Sequence, residues 1–449
     1  CRFTDMVRSM RAFLFLLAVS VIALPAAAQD LRQVYRDAKG YDAQYAAARY
    51  ALQAGLEKLP QGRALILPTL NLSANSTSQR VEIEPHNSLL PSTLRDGRNY
   101  GYSLSFSQPI YRPQNLLQYG QAELQVKQAE AAFGQSAQDI ILRTAQAYFD
   151  VLAANDHPAW VAAQNRATGG RLSEPSRNFG VGTGPATDPL EEESRFVVTS
   201  AQEIVAQNEV DTKIRALQQV TGKVYPTLRP LRSQVKLPPP NPANMQSWVE
   251  MAEKQGYPVQ VQEATTEIAN LEVKRNAAAN YPTVDLVASY GWNSQTASQL
   301  SAIPQNITTG TFGVQLGLPL YQGGAISSRE REAAANYEKS KQELENVRRT
   351  SALTAQQTYL LVTNGIAVVG ALEQALVSSQ SSLDSNKLGY EVGVRINIDV
   401  LNAQQQVFST RRDLLVALYG TIMNHFKLKA AAGSLREEDL EIANTALEP

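Results

Sequence analysis

Four stretches of the chain alternate between apolar residues and small or polar residues with a period of two. They lie at residues 69–75, 100–107, 284–293 and 311–320. Such alternation points successive side chains to opposite faces, so each stretch predicts a β-strand with one apolar and one polar face. The predicted apolar faces comprise Leu70, Leu72, Tyr100, Tyr102, Leu104, Phe106, Leu286, Tyr290, Trp292, Phe312, Val314, Leu316 and Leu318.

Long segments with helical composition follow each pair of strands. One begins near Pro113, and the other runs through residues 325–390 without a proline. A helix of the second length would extend ~100 Å at 1.5 Å per residue. Farther along, Leu401 and Ile422 belong to an apolar series with a period of seven. A strict seven-residue period predicts a left-handed supercoil, so the helices are expected to pack as coiled coils.

The chain contains an internal duplication, which constrains the architecture before any other feature. Three pairs of segments correspond at offsets of 214, 210 and 211 residues: LPTL at 67–70 with YPTV at 281–284, QPIY at 108–111 with LPLY at 318–321, and NFGVG at 178–182 with GYEVG at 389–393. The predicted organisation is a signal peptide at 1–28, a first repeat at 29–221, a proline-rich linker at 222–247, a second repeat at 248–433 and a loosely packed, charged tail at 434–449. Each repeat is expected to contain two strands and long helices.

The four strands admit a soluble and a membrane interpretation. As a soluble fold, they would be two amphipathic hairpins packed on a core. In lipid, a sheet must close on itself because the bilayer cannot satisfy bare backbone N–H and C=O groups. The smallest closed membrane barrels need about eight strands, so one chain offers too few and several copies must combine. A dimer would supply eight strands and a trimer twelve, and a lumen wide enough for cargo favours the trimer.

The first residues predict export from the cytoplasm. Arg8 and Arg11 precede an apolar run from Ala12 to Leu24, which alanines follow. This order is typical of a secretory signal peptide, here expected to be cleaved before Gln29, with residues 1–5 lying upstream of a start at Met6. We expect no other run to approach the ~18–20 apolar residues of a transmembrane helix. Secretion and barrel-length strands together favour the membrane interpretation.

Composition argues against an enzyme or a nucleic-acid-binding protein. Without residues 1–28 the chain carries 38 basic and 41 acidic side chains, a net charge of −3, and no basic patch for nucleic acid. The three histidines lack metal-ligand spacing. The glycine-rich segment 180–184 lacks the Lys-Ser/Thr of a phosphate-binding loop. We therefore expect no catalytic residues, no metal and no cofactor.

The duplicated unit, the strand openings and closings, and above all residues 389–402 (GYEVGVRINIDVLN) give the chain a family resemblance. It resembles the TolC family of outer-membrane channel-tunnels over residues 29–440. The resemblance implies a homotrimer in outer-membrane lipid, with a twelve-stranded barrel continuous with a periplasmic α-helical barrel. It also implies a periplasmic adaptor (membrane fusion) protein and an inner-membrane ABC or proton-driven transporter as partners. With no lipobox cysteine after the signal peptide, the type I secretion branch is favoured.

The resemblance also implies which residues narrow the pore. Tyr390 and Arg395 match positions that link helices at the closed entrance, and Thr187 and Asp188 match their partners in the first repeat. A local interpretation is equally open for Asp188, which precedes Pro189 as a helix N-cap would.

Asp399 matches a position in a ring of carboxylates at the entrance. Asn402 stands where a second aspartate is expected, so only one acidic ring is implied. A local role is open here too: Gly393 can end one helix, Asn397 can cap the next, and Asp399 then lies in a first turn that favours carboxylates. Capping and pore lining are compatible roles for one side chain.

An export channel is the leading hypothesis, for proteins, small toxic compounds or both. The alternative is a structural or adhesive coiled-coil protein of the cell envelope, which does not explain strand pairs before each helical pair. A periplasmic adaptor would lack four barrel-length strands.

Pro158 and Pro175 fall where the repeat predicts helix, and an interior proline costs about 3 kcal/mol there.

Overall fold

A computed structural model describes residues 29–84, 86, 92–171, 187–232, 235, 237–296 and 303–448. The predicted signal peptide, Pro175 and the segment 178–184 lie outside these residues. In chain order the elements are α1 (Leu31–Tyr41), α2 (Ala43–Leu56), α3 (Lys58–Ala64), β1 (Thr69–Ile83), β2 (Thr93–Tyr111), α4 (Pro113–Arg171), α5 (Thr187–Thr221), α6 (Met245–Gln255), α7 (Tyr257–Ala277), a 3₁₀ turn (Ala278–Asn280), β3 (Thr283–Gln295), β4 (Gln305–Gly317), α8 (Ala325–Glu391), α9 (Asn397–Ala431) and α10 (Asp439–Thr445).

All four predicted strands are present, but their ends differ from the prediction. β1 and β2 extend beyond the alternating stretches at 69–75 and 100–107, because their pairing continues to Ile83 and Thr93. β4 ends at Gly317, three residues before the predicted end at 320, so the prediction that Leu318 is a strand residue is wrong. The strands are thus 13 to 19 residues long, longer than the period-two pattern alone indicated.

The long helices also differ in detail from the sequence prediction. α8 has 67 residues, close to the predicted length. α4 has 59 residues and includes Pro158, so this proline does not end the helix, and its side chain lies outside the described part. α5 begins at Thr187, which places Asp188 inside the helix rather than at its N-cap.

The chain divides into two compact units that each take residues from both predicted repeats. One unit contains the residues up to Ala46 together with Ala137–Val249 and Thr354–Pro449. The other contains Ala47–Ser136 and Glu250–Leu353, and with them the sheet. We refer to them as the core unit and the sheet unit. The two compact units therefore do not coincide with the two sequence repeats, and the duplication remains a prediction from the sequence.

The sheet unit contains one antiparallel meander in the order β1-β2-β3-β4. β1 and β4 form its two edges. A register shift between Pro109 and Tyr111 marks a bulge in the pairing of β2 with β3. The middle pair joins the two halves of the sequence, since β2 belongs to the first repeat and β3 to the second.

Helix α1 shows why the N-terminal segment folds into the core unit. The Asp30 carboxylate accepts a hydrogen bond from the Gln33 backbone N–H at 2.8 Å and so caps the helix. Leu31, Val34 and Ala38 recur with helical spacing and are all buried. They contribute to an apolar cluster that also contains Tyr148 and Phe149 of α4, Tyr419 of α9 and Leu440 of α10.

A buried ion pair holds the junction between α1 and α2. The Arg143 guanidinium donates to both carboxylate oxygens of Asp42, at 2.8 and 3.0 Å. Asp42 also accepts from the Tyr45 backbone N–H at 2.6 Å, which caps α2. These hydrogen bonds, with Arg143 the largest cause, hold the pKa of the Asp42 carboxyl below its usual range. The pair therefore stays ionised at neutral pH and fixes the bend.

The C-terminal segment is packed into the core unit, so the expectation of a loose tail is wrong. Leu440 and Leu447 are almost completely buried. Leu447 forms an antiparallel bridge with Leu231 of the proline-rich linker, and the Asn444 side chain accepts a hydrogen bond from the Leu31 N–H at 3.1 Å. The signal for a packed segment was the set of apolar residues at 435, 440, 443 and 447. The many charged residues between them made the segment look solvent-exposed.

The expectation of no further membrane-length apolar run needs correction. Within the described residues, α8 is long and apolar enough to cross a membrane by length and composition. Little of its apolar stretch is buried within the chain. Leu360, Leu361 and Val368 are among its exposed residues. Exposed apolar surface of this extent is typical of a surface that another molecule covers.

Candidate barrel sheet and entrance turn

The register of the sheet gathers the predicted apolar residues on one face. Leu72 pairs with Leu104, which pairs with Tyr290. Leu70, Phe106, Ala288 and Phe312 form a second row in the same way. Directly paired residues share a face, so both rows lie on the same side. The rows Asn71-Ser105-Ser289-Thr311 and Ser73-Ser103-Gly291-Thr309 lie on the other side.

Many residues of the apolar face are exposed in the single chain. Phe312 is 79% exposed and Leu72 is 73% exposed. Contact of such an apolar face with water is unfavourable, whereas contact with lipid is favourable. On β3 the face runs from Val284 to Trp292, about 27 Å along the strand, which matches the scale of a ~25 Å apolar band.

Aromatic side chains cluster toward the loop end of this face. The rings of Tyr100 and Tyr102 lie 5.8 and 5.9 Å from the Trp292 ring, between centroids. Amphipathic rings of this kind form girdles at membrane interfaces. Beyond the girdle, Arg80 and Asp96 form an exposed ion pair. The change from apolar to charged side chains indicates where the strands leave the lipid.

Sequence reasoning missed an ion pair at the opposite end of the sheet. Arg112, between β2 and α4, donates through Nε and Nη2 to the two Asp285 oxygens at 2.7 and 2.6 Å. The Asp285 side chain is only 8% exposed. The available signals were an arginine immediately after one strand and an aspartate within another. The pair fixes the point where the first repeat turns from strand to helix.

We expect Asp285→Asn to weaken the assembled protein far more than Asp96→Asn. Both changes remove the carboxylate of a two-bond arginine pair in the same sheet. Loss of charged hydrogen bonds to a buried group costs about 1.5–3 kcal/mol per chain, whereas the Arg80–Asp96 pair is solvated and contributes little. Thermal dissociation midpoints at one heating rate measure the difference. Equal midpoints for the two variants would show that the Arg112 pair has no structural role.

The turn between α8 and α9 has the backbone geometry of a helix C-cap. Gly393 has a φ of +80°, a conformation that glycine adopts without a Cβ clash. The Val394 N–H donates to the Gly389 carbonyl at 2.9 Å, and the Gly393 N–H donates to the Tyr390 carbonyl at 3.1 Å. This Schellman pattern confirms that Gly393 ends the helix.

The structure brings Arg395 and Asp399 together across this turn. Their Nη1 and Oδ2 atoms are 3.6 Å apart, and both side chains are partly exposed. Asp399 lies in the first turn of α9, as predicted. Asn397, however, is the first helical residue and Ile396 is the N-cap, so the prediction that Asn397 caps the helix is wrong. The pair places a cation beside the carboxylate that was expected to line the entrance.

Tyr390 packs against the helices instead of standing free in the turn. Its side chain lies against a small cluster of buried residues formed by Leu383, Val400 and Val407. Val400 is completely buried. This cluster joins the end of α8 to the start of α9, so Tyr390 helps to hold the two helices together at the turn.

The remaining predicted entrance residues are less fully described. Thr187 and Asp188 lie in the first turn of α5, and their side chains lie outside the described part. Asn402 is exposed on α9. It lies three residues after Asp399, a spacing that puts both on one helix face.

Comparisons with known proteins agree with these features. The chain is 30% identical over 440 residues to the proteases secretion protein PrtF of Dickeya chrysanthemi, covering 96% of this chain and 94% of that protein. It is 29% identical to the outer membrane protein TolC of Escherichia coli, covering 94% and 85% of the two chains.

Solved structures share the fold. The CmeC outer membrane channel of Campylobacter jejuni matches with a TM-score of 0.76 at 15% identity, covering 93% of this chain and 90% of that one. The outer membrane protein VceC of Vibrio cholerae matches with a TM-score of 0.75 at 17% identity, covering 90% and 96%. Residues 34–223 and 248–434 match the family described as outer membrane efflux protein. With most of its length matched and both strand pairs present, the chain belongs to the outer membrane efflux protein family.

Proposed function

We propose that this protein is the outer-membrane channel of a tripartite export system. It passes proteins, small toxic compounds or both from the periplasmic side to the exterior. The observation that carries the proposal is a four-stranded sheet with one exposed apolar face, one polar face and two edge strands. The family and the relatives named for secretion support export across the outer membrane and favour a channel over an enzyme.

Three copies of the chain complete the barrel. The edges β1 and β4 must pair in lipid, because an open edge leaves backbone groups unsatisfied. Pairing β4 of one copy with β1 of the next gives twelve strands in a trimer. The exposed apolar stretch of α8 supports association as well, since neighbouring copies would cover it. Eight strands from a dimer would leave a lumen filled by side chains.

The partners are an inner-membrane transporter, of the ABC or proton-driven type, and a periplasmic adaptor. The relative named as a proteases secretion protein supports protein cargo, and the family description supports efflux of small compounds. A channel without its own energy source requires such a transporter. The structural or adhesive coiled-coil alternative loses its support, because it does not account for the sheet.

Mass measurement and conductance together test the proposal. The protein extracted from outer membranes is expected to have the mass of three chains in mild detergent and to form conducting pores in planar bilayers. A folded monomer, or a trimer that conducts no ions, would refute the proposed channel. Cross-linking in cells to the products of neighbouring genes would then identify the adaptor and the transporter.

The turn around Asp399 is proposed as the periplasmic constriction. Three copies of Asp399 would form one acidic ring, and like charges in a narrow pore attract cations. Arg395 pairs with this carboxylate and so reduces the charge of the ring. Tyr390 stabilises the turn through its packing. Thr187, Asp188 and Asn402 complete the proposed entrance.

We expect Asp399→Ala and Arg395→Ser to change ion selectivity in opposite directions. The first removes the carboxylate and lowers cation selectivity, and the second exposes the carboxylate and raises it. Combining Arg395→Ser with Tyr390→Phe is expected to raise conductance, since it removes the guanidinium and the phenolic hydroxyl that the family resemblance implies as linking groups, each link being worth ~0.2–1 kcal/mol and present three times. Reversal potentials and single-channel conductance measure these effects.

Arg412→Ser is the matched control for the entrance variants. Arg412 also pairs with an aspartate on α9, Asp413, at 3.0 Å, but lies away from the turn. Its loss is expected to leave selectivity unchanged. If Asp399→Ala leaves selectivity at the parental value, Asp399 acts only at the helix start. If the double variant conducts like the parent while folded, other contacts close the entrance.

A further inference from the structure

A cavity of about 630 Å³ lies in the core unit, outside the sheet and the entrance turn. Its walls come from the proline-rich linker, the start of α6, the last turns of α9 and helix α10. The volume falls within the ~300–1,000 Å³ range of small-molecule sites. None of the export steps described above uses it.

The lining of the cavity is mostly apolar. Leu237, Trp248, Phe426 and Ile442 are among the lining residues. The Trp248 indole is 3% exposed, and its Nε1–H donates to the Pro242 carbonyl at 2.8 Å. A rigid aromatic wall of this kind suits a hydrocarbon chain or ring, because burial of apolar surface drives binding and the wall loses little freedom.

Arg232 provides the charged group of the cavity. Its Nε donates to the Leu447 carbonyl at 2.8 Å. Among the described residues, no carboxylate forms an ion pair with Arg232. The other lining charges are already matched, since Lys429 pairs with Asp439 at 2.6 Å, and Asp439 also accepts from the Arg436 N–H at 2.9 Å. Arg232 is exposed to solvent, so its guanidinium adds one positive charge at the rim of the cavity.

His425 adds a second polar feature to the wall. Its Nε2 atom is buried and has no hydrogen-bond partner among the described residues. Burial, and secondly the charge of Lys429, lowers the pKa of His425. The imidazole is therefore neutral at neutral pH and adds no charge to that of Arg232. A buried polar side-chain atom without a partner is uncommon in folded proteins.

We propose that this cavity binds an amphipathic organic anion. Its aliphatic or aromatic body lies against Trp248, Phe426 and Leu237, and its carboxylate, sulfonate or phosphate group accepts hydrogen bonds from Arg232. Arginine suits such groups because its planar donors match two oxygens at once. None of the lining residues belongs to the sheet or to the turn between α8 and α9.

Quenching of Trp248 fluorescence tests the proposal. The background variant carries Trp160→Phe and Trp292→Phe, so that Trp248 alone reports. The probe is ω-bromoundecanoate, whose bromine quenches on contact, and the matched neutral probe is ω-bromoundecanol. The full-length protein is used in phosphatidylcholine nanodiscs. We expect saturable quenching by the carboxylate, with roughly tenfold weaker binding of the alcohol, as expected for one charge-assisted hydrogen bond.

Two variants separate the charge from the cavity itself. Arg232→Gln is expected to weaken carboxylate binding about tenfold and to leave alcohol binding unchanged. Arg36→Gln, an exposed arginine on α1 outside the cavity, is expected to change neither. Quenching that rises linearly without saturation would indicate partition into lipid and overturn the proposal. Equal affinities of the carboxylate and the alcohol for the background protein would also overturn the proposal. This comparison does not need the Arg232→Gln variant, so it holds even if that variant does not fold.

Discussion

Replacing Leu104 with arginine is expected to remove most of the protein from the outer membrane. Leu104 lies near the middle of β2 and pairs with Leu72 and Tyr290 on the apolar face. An arginine facing lipid near the bilayer midplane costs about 2–4 kcal/mol. Three copies in one barrel would incur this cost three times, so the assembled state loses much of its stability. The amount of heat-resistant oligomer in outer-membrane fractions measures the effect.

Ser103→Arg is the matched control for the lipid-facing substitution. Ser103 is the adjacent residue on the same strand and points to the polar face, where it contacts Ser73 through hydroxyl groups 2.8 Å apart. An arginine there would face the water-filled lumen and should be tolerated. Equal losses from Leu104→Arg and Ser103→Arg would refute the assignment of one face to lipid and the other to the lumen.

The position along the strand sets the size of this effect. Leu316 is one residue from the end of β4 and pairs with Val284 near the start of β3. Because the cost of a charge falls to about 0–1 kcal/mol near the interface, Leu316→Arg is expected to be milder than Phe312→Arg. Phe312 lies in the middle of β4 and is 79% exposed.

Phe149→Ala is expected to cause the largest loss of stability in the core unit. The Phe149 ring is completely enclosed, with centroids 5.7 Å from the rings of both Tyr148 and Tyr419. Removing a buried aromatic side chain costs about 3–5 kcal/mol, including the cavity that remains. The apparent melting temperature should fall by roughly 10 °C, which calorimetry of the detergent-solubilised protein measures.

Phe149→Leu tests whether the loss of stability in Phe149→Ala comes from lost packing. Leucine fills most of the site, so its loss is expected to be only ~1–2 kcal/mol. A melting temperature for Phe149→Ala within a degree or two of the parent would show that this cluster does not limit unfolding.

Local patterns in the sequence predicted the elements well, and long-range contacts explain what they missed. The period-two stretches identified all four strands because alternation reports which side chains share a face. The extension of β1 and β2 to Ile83 and Thr93 was missed because pairing, rather than alternation, continues there. The charges after Ser434 suggested a loose tail, yet four apolar residues spaced among them pack onto α1 and α4.

The proposed entrance was predicted in part. Gly393 and the first-turn position of Asp399 follow from local capping preferences, which act within a few residues. Arg395 and Asp399 are four residues apart, and their pairing depends on the backbone between Gly393 and the first turn of α9. Sequence spacing alone could not show that a cation lies beside the carboxylate of the proposed ring.

By itself, the sequence determined the duplication, the four two-faced strands, the long helices and the family, because each of these is a periodic or local property of the chain. Only the tertiary structure decided which distant residues meet. Arg112 and Asp285 are 173 positions apart, and Leu31 and Asn444 are 413 apart. The cavity beside Trp248 likewise exists only where the linker, α9 and α10 come together. Such contacts depend on how elements pack, since no local pattern specifies which of many compatible partners a side chain finds.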